Sequence, residues 1–150
     1  MVNKIEWQMI GYAEIPPIET SKELADLVYN SCRFEKLSLE TALGKLYSIL
    51  NIHISEGFKE ERPFDAIIMP SYKHGGFQII YDKNHVKKRA PKGKNYEEHL
   101  NFVLLHEIGH TFFFDKRKTP PRRLPKRDSD KEERFCDEFA NSLLKLLTGK

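Results

Sequence analysis

The stretch His106-Glu107-Ile108-Gly109-His110 decides how the rest of this chain is interpreted. An α-helix repeats every 3.6 residues, so histidines four positions apart lie on one face, one turn from each other. Neutral imidazole is the commonest side-chain ligand of metals, and this spacing lets both rings bind one Zn²⁺. Glu107 projects close to the same ion and can take a proton from a water molecule there. The pattern, H-E-x-x-H, is typical of metal-dependent peptidases.

Two imidazoles leave a tetrahedral zinc ion incomplete, because a hydrolytic site needs a third protein ligand and one position open to water. The residues from His110 to Lys116 lack the Gly and His of the longer H-E-x-x-H-x-x-G-x-x-H pattern, so we expect the ligand on a later helix. Glu133 and Asp137 lie four apart there, on one helix face. We predict that Glu133 binds the metal and that Asp137 accepts a hydrogen bond from the far nitrogen of a ligating histidine. The alternative makes both ordinary surface acids.

The length and composition indicate one globular domain spanning residues 1–150. The chain is 39% hydrophobic and 31% charged, and no apolar run approaches the roughly 18–20 residues that cross a bilayer. The N-terminus lacks the apolar core of a secretory signal. Cys32 and Cys136 are far apart in the sequence, so we expect free thiols and a cytoplasmic location, with a disulfide as the alternative.

The positive charge is concentrated in two segments on either side of the H-E-x-x-H motif. Lys83–Lys94 contains six basic residues and Lys116–Arg127 contains seven, with no acid in either, whereas the other 12 basic residues are outnumbered by 22 acidic ones. The segments are either solvated loops or a positive rim that attracts an acidic or nucleic-acid-bound partner.

Two helices are expected in the first third of the chain. Thr20-Ser21-Lys22-Glu23 has the form of a capping box, and Pro16-Pro17 excludes an earlier helical start. Apolar residues then recur at helical spacing over too long a stretch for one element. A break near Arg33–Ser38, with Ser38 as a cap, predicts two helices, and Trp7 is expected in the core.

Three short β-branched or aromatic runs predict strands at Ile52–Ser55, Phe64–Met69 and Phe77–Tyr81, separated by turn residues that include Pro63. We expect a small antiparallel three-stranded sheet packed on helices. Phe77–Tyr81 is predicted as an exposed edge strand that pairs with an extended substrate segment. A basic loop is predicted at Asp82–Lys94.

Two further helices are expected after this loop. Asn95-Tyr96-Glu97-Glu98 resembles a capping box and opens a heavily buried helix that carries the two histidines, on which Gly109 permits close packing. The last helix is predicted from about Asp128, with Phe135, Phe139 and Leu143 on its apolar face. The Phe112-Phe113-Phe114 run is expected in the core, whereas His53, His74 and His99 are expected to be structural or exposed.

These two helices resemble those of the ImmA/IrrE family of zinc metallopeptidases. That family has a helix ending in H-E-x-G-H and a later helix reading roughly E-x-x-A-[ND]-x-F-A-x-x-L-L, matched here by Phe102–His110 and Glu133–Leu144. The resemblance implies an α+β, zincin-like minimal metallopeptidase with Zn²⁺ as cofactor and a C-terminal glutamate-donating helix. It also implies a protein substrate, a repressor-type regulator of a phage or mobile element. Cys136 departs from the family's alanine, and Lys145 follows where Met-Pro is common.

The sequence leaves two candidates for the oxyanion donor and two alternatives to the peptidase function. Tyr81 and His85 are candidate donors, with a packed strand aromatic and a solvated loop histidine as their alternatives. A non-catalytic regulatory or binding module with structural zinc is the main rival, and in it Cys136 would close the fourth metal position. A SprT-like, DNA-associated protease is the third possibility, supported by the basic segments.

Overall fold

The computed structural model describes residues 20–57, 64–73, 75–115, 120–124 and 128–149. Within these ranges the chain has mixed α and β structure, as predicted. Its elements are helices α1 (Ser21–Ser31), α2 (Leu39–Ile49), α3 (Lys83–Arg89), α4 (Tyr96–Gly109) and α5 (Ser129–Thr148), strands β1 (Ile52–Glu56), β2 (Ala66–Pro70), β3 (Phe77–Tyr81), β4 (Phe114–Asp115) and β5 (Arg122–Arg123), and a 3₁₀ turn, His110–Phe113. The predictions for Trp7, Pro16-Pro17, Pro63, His74 and parts of the second basic segment fall outside the described residues.

Polar side chains cap the N-termini of three of the helices that the sequence predicted. Ser38 Oγ accepts a hydrogen bond from the Thr41 amide at 3.2 Å, and Asn95 Oδ1 accepts one from the Glu98 amide at 2.9 Å. Asp128 Oδ1 accepts from the Lys131 amide and starts α5. Such caps satisfy amides that have no partner within the helix. Thr20 precedes α1 without a side-chain cap, so the capping box predicted there is wrong although the helix starts where expected.

The three-stranded sheet is mixed, and the predicted antiparallel sheet with Phe77–Tyr81 at its edge is wrong. The strand order is β1-β3-β2, with β1 parallel to β3 and β2 antiparallel to it. The short β2–β3 connection forces those two strands to be antiparallel, whereas the longer β1–β2 connection allows β2 to lie beyond β3. Ile79 is fully buried in the central strand. The edge strand β2 contacts α4.

The predicted loop at Asp82–Lys94 contains a short helix, which corrects that prediction. Asp82 Oδ1 accepts a hydrogen bond from the His85 amide and caps α3, and Val86 is fully buried on its inner face. Lys87, Lys88 and Arg89 occupy the last turn, where positive charge interacts favourably with the helix dipole. The basic residues are thus presented from a helix.

Helices α4 and α5 pack against each other and contribute much of the core of the described residues. Phe112, Phe113 and Phe114 are at most 2% exposed, and Phe135, Phe139 and Leu143 of α5 are fully buried, as predicted. Cys32 and Cys136 are both buried free thiols. No helix among the described residues combines the length and apolarity that crossing a membrane requires.

Candidate metal centre

Helices α4 and α5 are in direct contact at Gly109, next to the two histidines. A Cβ atom built on Gly109 would lie 3.0 Å from the Cα and 3.1 Å from the Sγ of Cys136. Real Cβ atoms are seldom this close to backbone, so a larger residue would push the helices apart. The close packing predicted for Gly109 is confirmed, and it brings the residues one turn away on each helix into contact.

The carboxylate of Glu133 lies between the two imidazoles of α4. Its Oε2 is 2.8 Å from His106 Nε2, and its Oε1 is 3.4 Å from His110 Nε2. Asp137, one turn further along α5, contacts His106 from behind, with Oδ1 2.7 Å from Nδ1. The structure therefore brings His106, His110, Glu133 and Asp137 together in the relative positions that the sequence predicted.

A second glutamate, which the sequence reasoning missed, contacts the other histidine from behind. Glu132 Oε2 makes a short hydrogen bond with His110 Nδ1, and Glu132 is 1% exposed. One signal could have found it, because Glu132 lies at helical spacing with Phe135, Phe139 and Leu143 and so belongs to the buried face of α5. An acidic residue on an apolar face needs a polar partner.

Hydrogen bonds with neighbouring groups raise the pKa values of both His106 and His110. Burial lowers the pKa of His106, but its hydrogen bond with Glu133 and the negative charges of Glu107 and Glu133 together raise it above the ordinary value. Burial also opposes protonation of His110, yet contacts with Cys136, Glu132 and Glu133 raise its pKa to about 12. The same hydrogen bonds hold the pKa of the Glu133 carboxyl far below its usual value. A metal ion would take the place of the protons on the two Nε2 atoms.

Glu107 is nearly buried beside the two histidines. Its side chain is 11% exposed, and Oε2 lies 3.9 Å from His110 Nε2. Burial, partly offset by the two imidazolium charges, raises the pKa of Glu107 to about 7. A carboxylate with such a pKa can both accept and return a proton near neutral pH.

The donor atoms fit a tetrahedral zinc ion. Zn–N and Zn–O bonds of about 2.0–2.2 Å separate neighbouring ligand atoms by roughly 3.3 Å or slightly more. The 3.4 Å between Glu133 Oε1 and His110 Nε2 matches this spacing, whereas the 2.8 Å between Glu133 Oε2 and His106 Nε2 is a hydrogen-bond length that binding of an ion would widen. Two nitrogens and one oxygen leave a fourth position, and both rings are oriented through Nδ1. Cys136 is the other candidate ligand, because a sulfur atom and the two imidazoles lie within 4.8 Å of one another. It is fully buried against Gly109, and burial raises the pKa of its thiol to about 11.

A cleft of about 370 Å³ opens next to these residues. One side is formed by α4 and α5, and the other by the residues at the start of β2 and by Arg89 at the end of α3. The lining residues are Phe64, Asp65, Ala66, Arg89, Phe102, Val103, His106, Glu107, Glu133 and Asp137. The cleft thus extends from His106 and Glu133 to the beginning of the edge strand β2.

Of the two predicted oxyanion donors, neither Tyr81 nor His85 is among the described residues that line this cleft. The Tyr81 hydroxyl interacts with Tyr96, whose pKa rises to about 12 mainly through burial. His85 Nδ1 lies 2.6 Å from Asp65 Oδ1, so the ring supports the cleft wall from behind. Arg89, one turn after His85, does line the cleft, and the sequence reasoning missed it because the segment was predicted as a loop.

Searches with family models, among curated proteins and among solved structures found no match to this chain. The resemblance to the ImmA/IrrE family therefore stays a prediction from the two helices. The chemistry of the site is the basis for assigning a function.

Proposed function

We propose that this chain is a zinc-dependent metalloendopeptidase that hydrolyses a specific intracellular protein. The observation that carries the proposal is the position of the Glu133 carboxylate between the Nε2 atoms of His106 and His110, with Glu107 alongside. A purely structural metal site has no need of a general base between its ligands.

Each residue has a distinct role in the proposed reaction. His106, His110 and Glu133 would hold Zn²⁺, which lowers the pKa of water and polarises a carbonyl group. Glu107 removes a proton from the attacking water molecule and delivers it to the leaving amine. Asp137 holds the ring of His106 in the tautomer whose Nε2 faces the cleft.

Because β3 is the central strand, an extended substrate would pair with the edge strand β2 and not with β3. β2 pairs with β3 on one side, and Ala66 at its beginning lines the cleft beside Glu107. An extended peptide could add to the outer edge of β2 and pass the metal ligands. Arg89 on the same side could donate to the oxyanion that forms on the scissile carbonyl.

The resemblance to the ImmA/IrrE family supplies the proposed substrate class. In that family the expected substrate is a helix-turn-helix repressor of a phage or mobile element, and a cytoplasmic location would suit such a partner. The basic residues on α3 would then contact acidic residues of that repressor, or DNA to which it is bound.

The test uses Glu107→Gln, which keeps the shape of the side chain and removes its basicity. Wild-type protein loaded with zinc is incubated with a peptide library and with the repressor encoded nearest its gene. We expect cleavage by the wild type, a loss of roughly 100-fold or more in the variant, and equal zinc content in both. Glu97→Gln, at an exposed position on the same helix, is the matched control. Unchanged turnover in Glu107→Gln would rule out the assigned base.

A non-catalytic zinc module is the second candidate, and the proximity of Cys136 to both imidazoles favours it. If the thiolate closes the site, Cys136→Ala should weaken zinc binding by much more than Asp137→Asn does. If Glu133 is the third ligand, Cys136→Ala should leave the zinc dissociation constant within a few-fold of the wild-type value. Zinc titration of both variants decides between these outcomes.

A SprT-like protease that works on DNA is the remaining alternative, and the exposed lysines of α3 favour it. Lys83 and Lys87 lie over the ring of Tyr96, at 6.0 and 5.5 Å from its centroid, and Lys88 is exposed beside them. A gel-shift assay at increasing salt tests this idea, because phosphate contacts weaken steeply with ionic strength. An absence of binding at low salt would remove it.

A further inference from the structure

We propose that Glu132 is a positioning residue for His110 and that Arg123 neutralises it, so that the hairpin of β4 and β5 forms part of the metal centre. This inference rests on the metal-binding part of the proposed function. It depends on neither peptidase activity nor the identity of the substrate.

Two neighbouring glutamates on α5 point in different directions. The side chain of Glu133 is 56% exposed and faces the cleft, whereas that of Glu132 is 2% exposed and faces the core. Consecutive residues on a helix point about 100° apart, so one helix presents both carboxylates to a single ring from different directions.

These two carboxylates hold both nitrogens of the His110 ring. Glu132 contacts Nδ1 and Glu133 contacts Nε2. An ionised carboxylate only accepts hydrogen bonds, so Glu132 fixes a proton on Nδ1. Nε2 is thereby left as the atom that offers a lone pair on the cleft side, and the ring cannot rotate without breaking a buried contact.

The negative charge of the buried Glu132 carboxylate has a positive partner in Arg123. Removing a carboxylate from water is costly unless a positive partner is close. Arg123 Nη1 lies 3.4 Å from Glu132 Oε2, and the guanidinium stands 4.8 Å from the centroid of the Phe114 ring. Phe114 and Arg123 are also paired across β4 and β5, so the hairpin fixes the arginine in this place.

The two histidines are therefore supported unequally. Asp137, which supports His106, has a side chain that is 55% exposed, so water can replace part of its hydrogen bond. Glu132 is out of contact with solvent, and its loss would leave the Nδ1 proton of His110 in the core. We expect zinc affinity to depend more on Glu132 than on Asp137, although the sequence pattern singles out Asp137 alone.

The experiment measures the zinc dissociation constant by competition with a chromophoric chelator, together with the melting temperature of each protein. Glu132→Gln keeps the size of the side chain and removes its charge, and it should weaken zinc binding roughly 10- to 100-fold. Asp137→Asn should weaken binding less. Glu138→Gln, at an exposed position on the same helix, is the matched control and should bind zinc as the wild type does.

A spectroscopic readout separates positioning from a general loss of stability. In long-range ¹H–¹⁵N spectra of the zinc-loaded protein, the Nδ1 proton of His110 should exchange slowly in the wild type and faster in Glu132→Gln. Arg123→Met should weaken zinc binding, with Arg123→Lys restoring part of the loss. The double variant Glu132→Gln/Arg123→Met should bind zinc no more weakly than Glu132→Gln alone, because the arginine acts through the carboxylate.

The outcomes are separable. A wild-type chain that binds no zinc would overturn the proposed function and the inference with it. A wild type that binds zinc, beside a folded Glu132→Gln variant with a dissociation constant within twofold of the wild type, would overturn the inference alone. If Glu132→Gln does not fold, Arg123→Met decides, because its side chain is 39% exposed, and unchanged zinc affinity there overturns the charge role.

Discussion

The two sides of the cleft differ in how firmly their polar groups are held. On the helix side, formed by α4 and α5, His106 and His110 each contact one carboxylate at Nδ1 and another at Nε2. On the strand side, formed by the start of β2 and the end of α3, Arg89 is exposed and Asp65 is supported by His85. The helix side is pre-organised, as chemistry at a metal requires. The strand side has room to adapt, which suits recognition of a chain segment.

The largest effect is expected from replacing Glu133, the proposed third metal ligand on the helix side. Glu133→Gln removes the negative oxygen between the two imidazoles, so zinc affinity should fall by more than the roughly 100-fold that an outer carboxylate can cost. Isothermal titration with Zn²⁺ measures it. Glu138→Gln serves as the control. A Glu133→Gln variant that binds zinc as tightly as the wild type would contradict the assigned ligand set.

The strand side is tested by Arg89→Gln. If Arg89 donates to the oxyanion, its loss should lower turnover by roughly 100-fold while zinc affinity is unchanged. Steady-state kinetics on the cleaved substrate give kcat and KM separately. Lys36→Gln, at an exposed cation outside both basic segments and outside the cleft lining, is the matched control. A change in KM alone would instead make Arg89 a substrate-binding residue.

The packing that holds the helix side is tested by substituting Gly109. Gly109→Ala places a methyl group against the backbone of α5, and overpacking of this kind costs about 1–3 kcal/mol in the free energy of unfolding. Gly44→Ala is the control, because nothing lies within 4 Å of a Cβ there, and it should stabilise α2 by about 1 kcal/mol. Urea unfolding measures both, and similar stabilities for the two variants would mean that the helices can separate freely.

The smallest effect is expected at His99, which lies on α4 and faces Asp65 of the strand side. Burial, partly opposed by Asp65, lowers the pKa of His99. A histidine with a lowered pKa in the folded state contributes stability above its ordinary pKa of about 6.5, and this is lost as the pH falls through the folded value. The midpoint of urea unfolding should therefore fall less between pH 7 and pH 5 in His99→Leu than in the wild type. An equal fall in both proteins would count against this role.

Local patterns predicted the helix side better than the strand side. His106 and His110, like Glu133 and Asp137, are related by one helical turn, and helical periodicity is visible in a short window. The central position of Phe77–Tyr81 depends instead on which strand pairs with which, and no window of a few residues encodes strand order. Arg89 was missed because α3 is stabilised by one cap and by the burial of Val86.

Glu132 shows a different limit of sequence reasoning. Its neighbour Glu133 belongs to a recognisable pattern, and a second acid beside it is ordinary on an exposed helix. Only the burial of that face, together with Arg123 approaching from the β4–β5 hairpin, makes it a partner of His110. The role of Glu132 depends on its contacts with Arg123 and His110, which lie 9 and 22 positions away in the sequence.

Glu132 and Glu133 are consecutive residues that contact different nitrogens of His110. A residue therefore cannot be added to or removed from α5 next to them without changing these contacts. Deleting the one residue between these glutamates and Phe135 would rotate them by about 100° relative to the buried aromatic face, so Glu132 would take the position of Glu133 and no acid would remain at Nδ1 of His110. Natural insertions and deletions in relatives of this chain should therefore spare this turn of the helix.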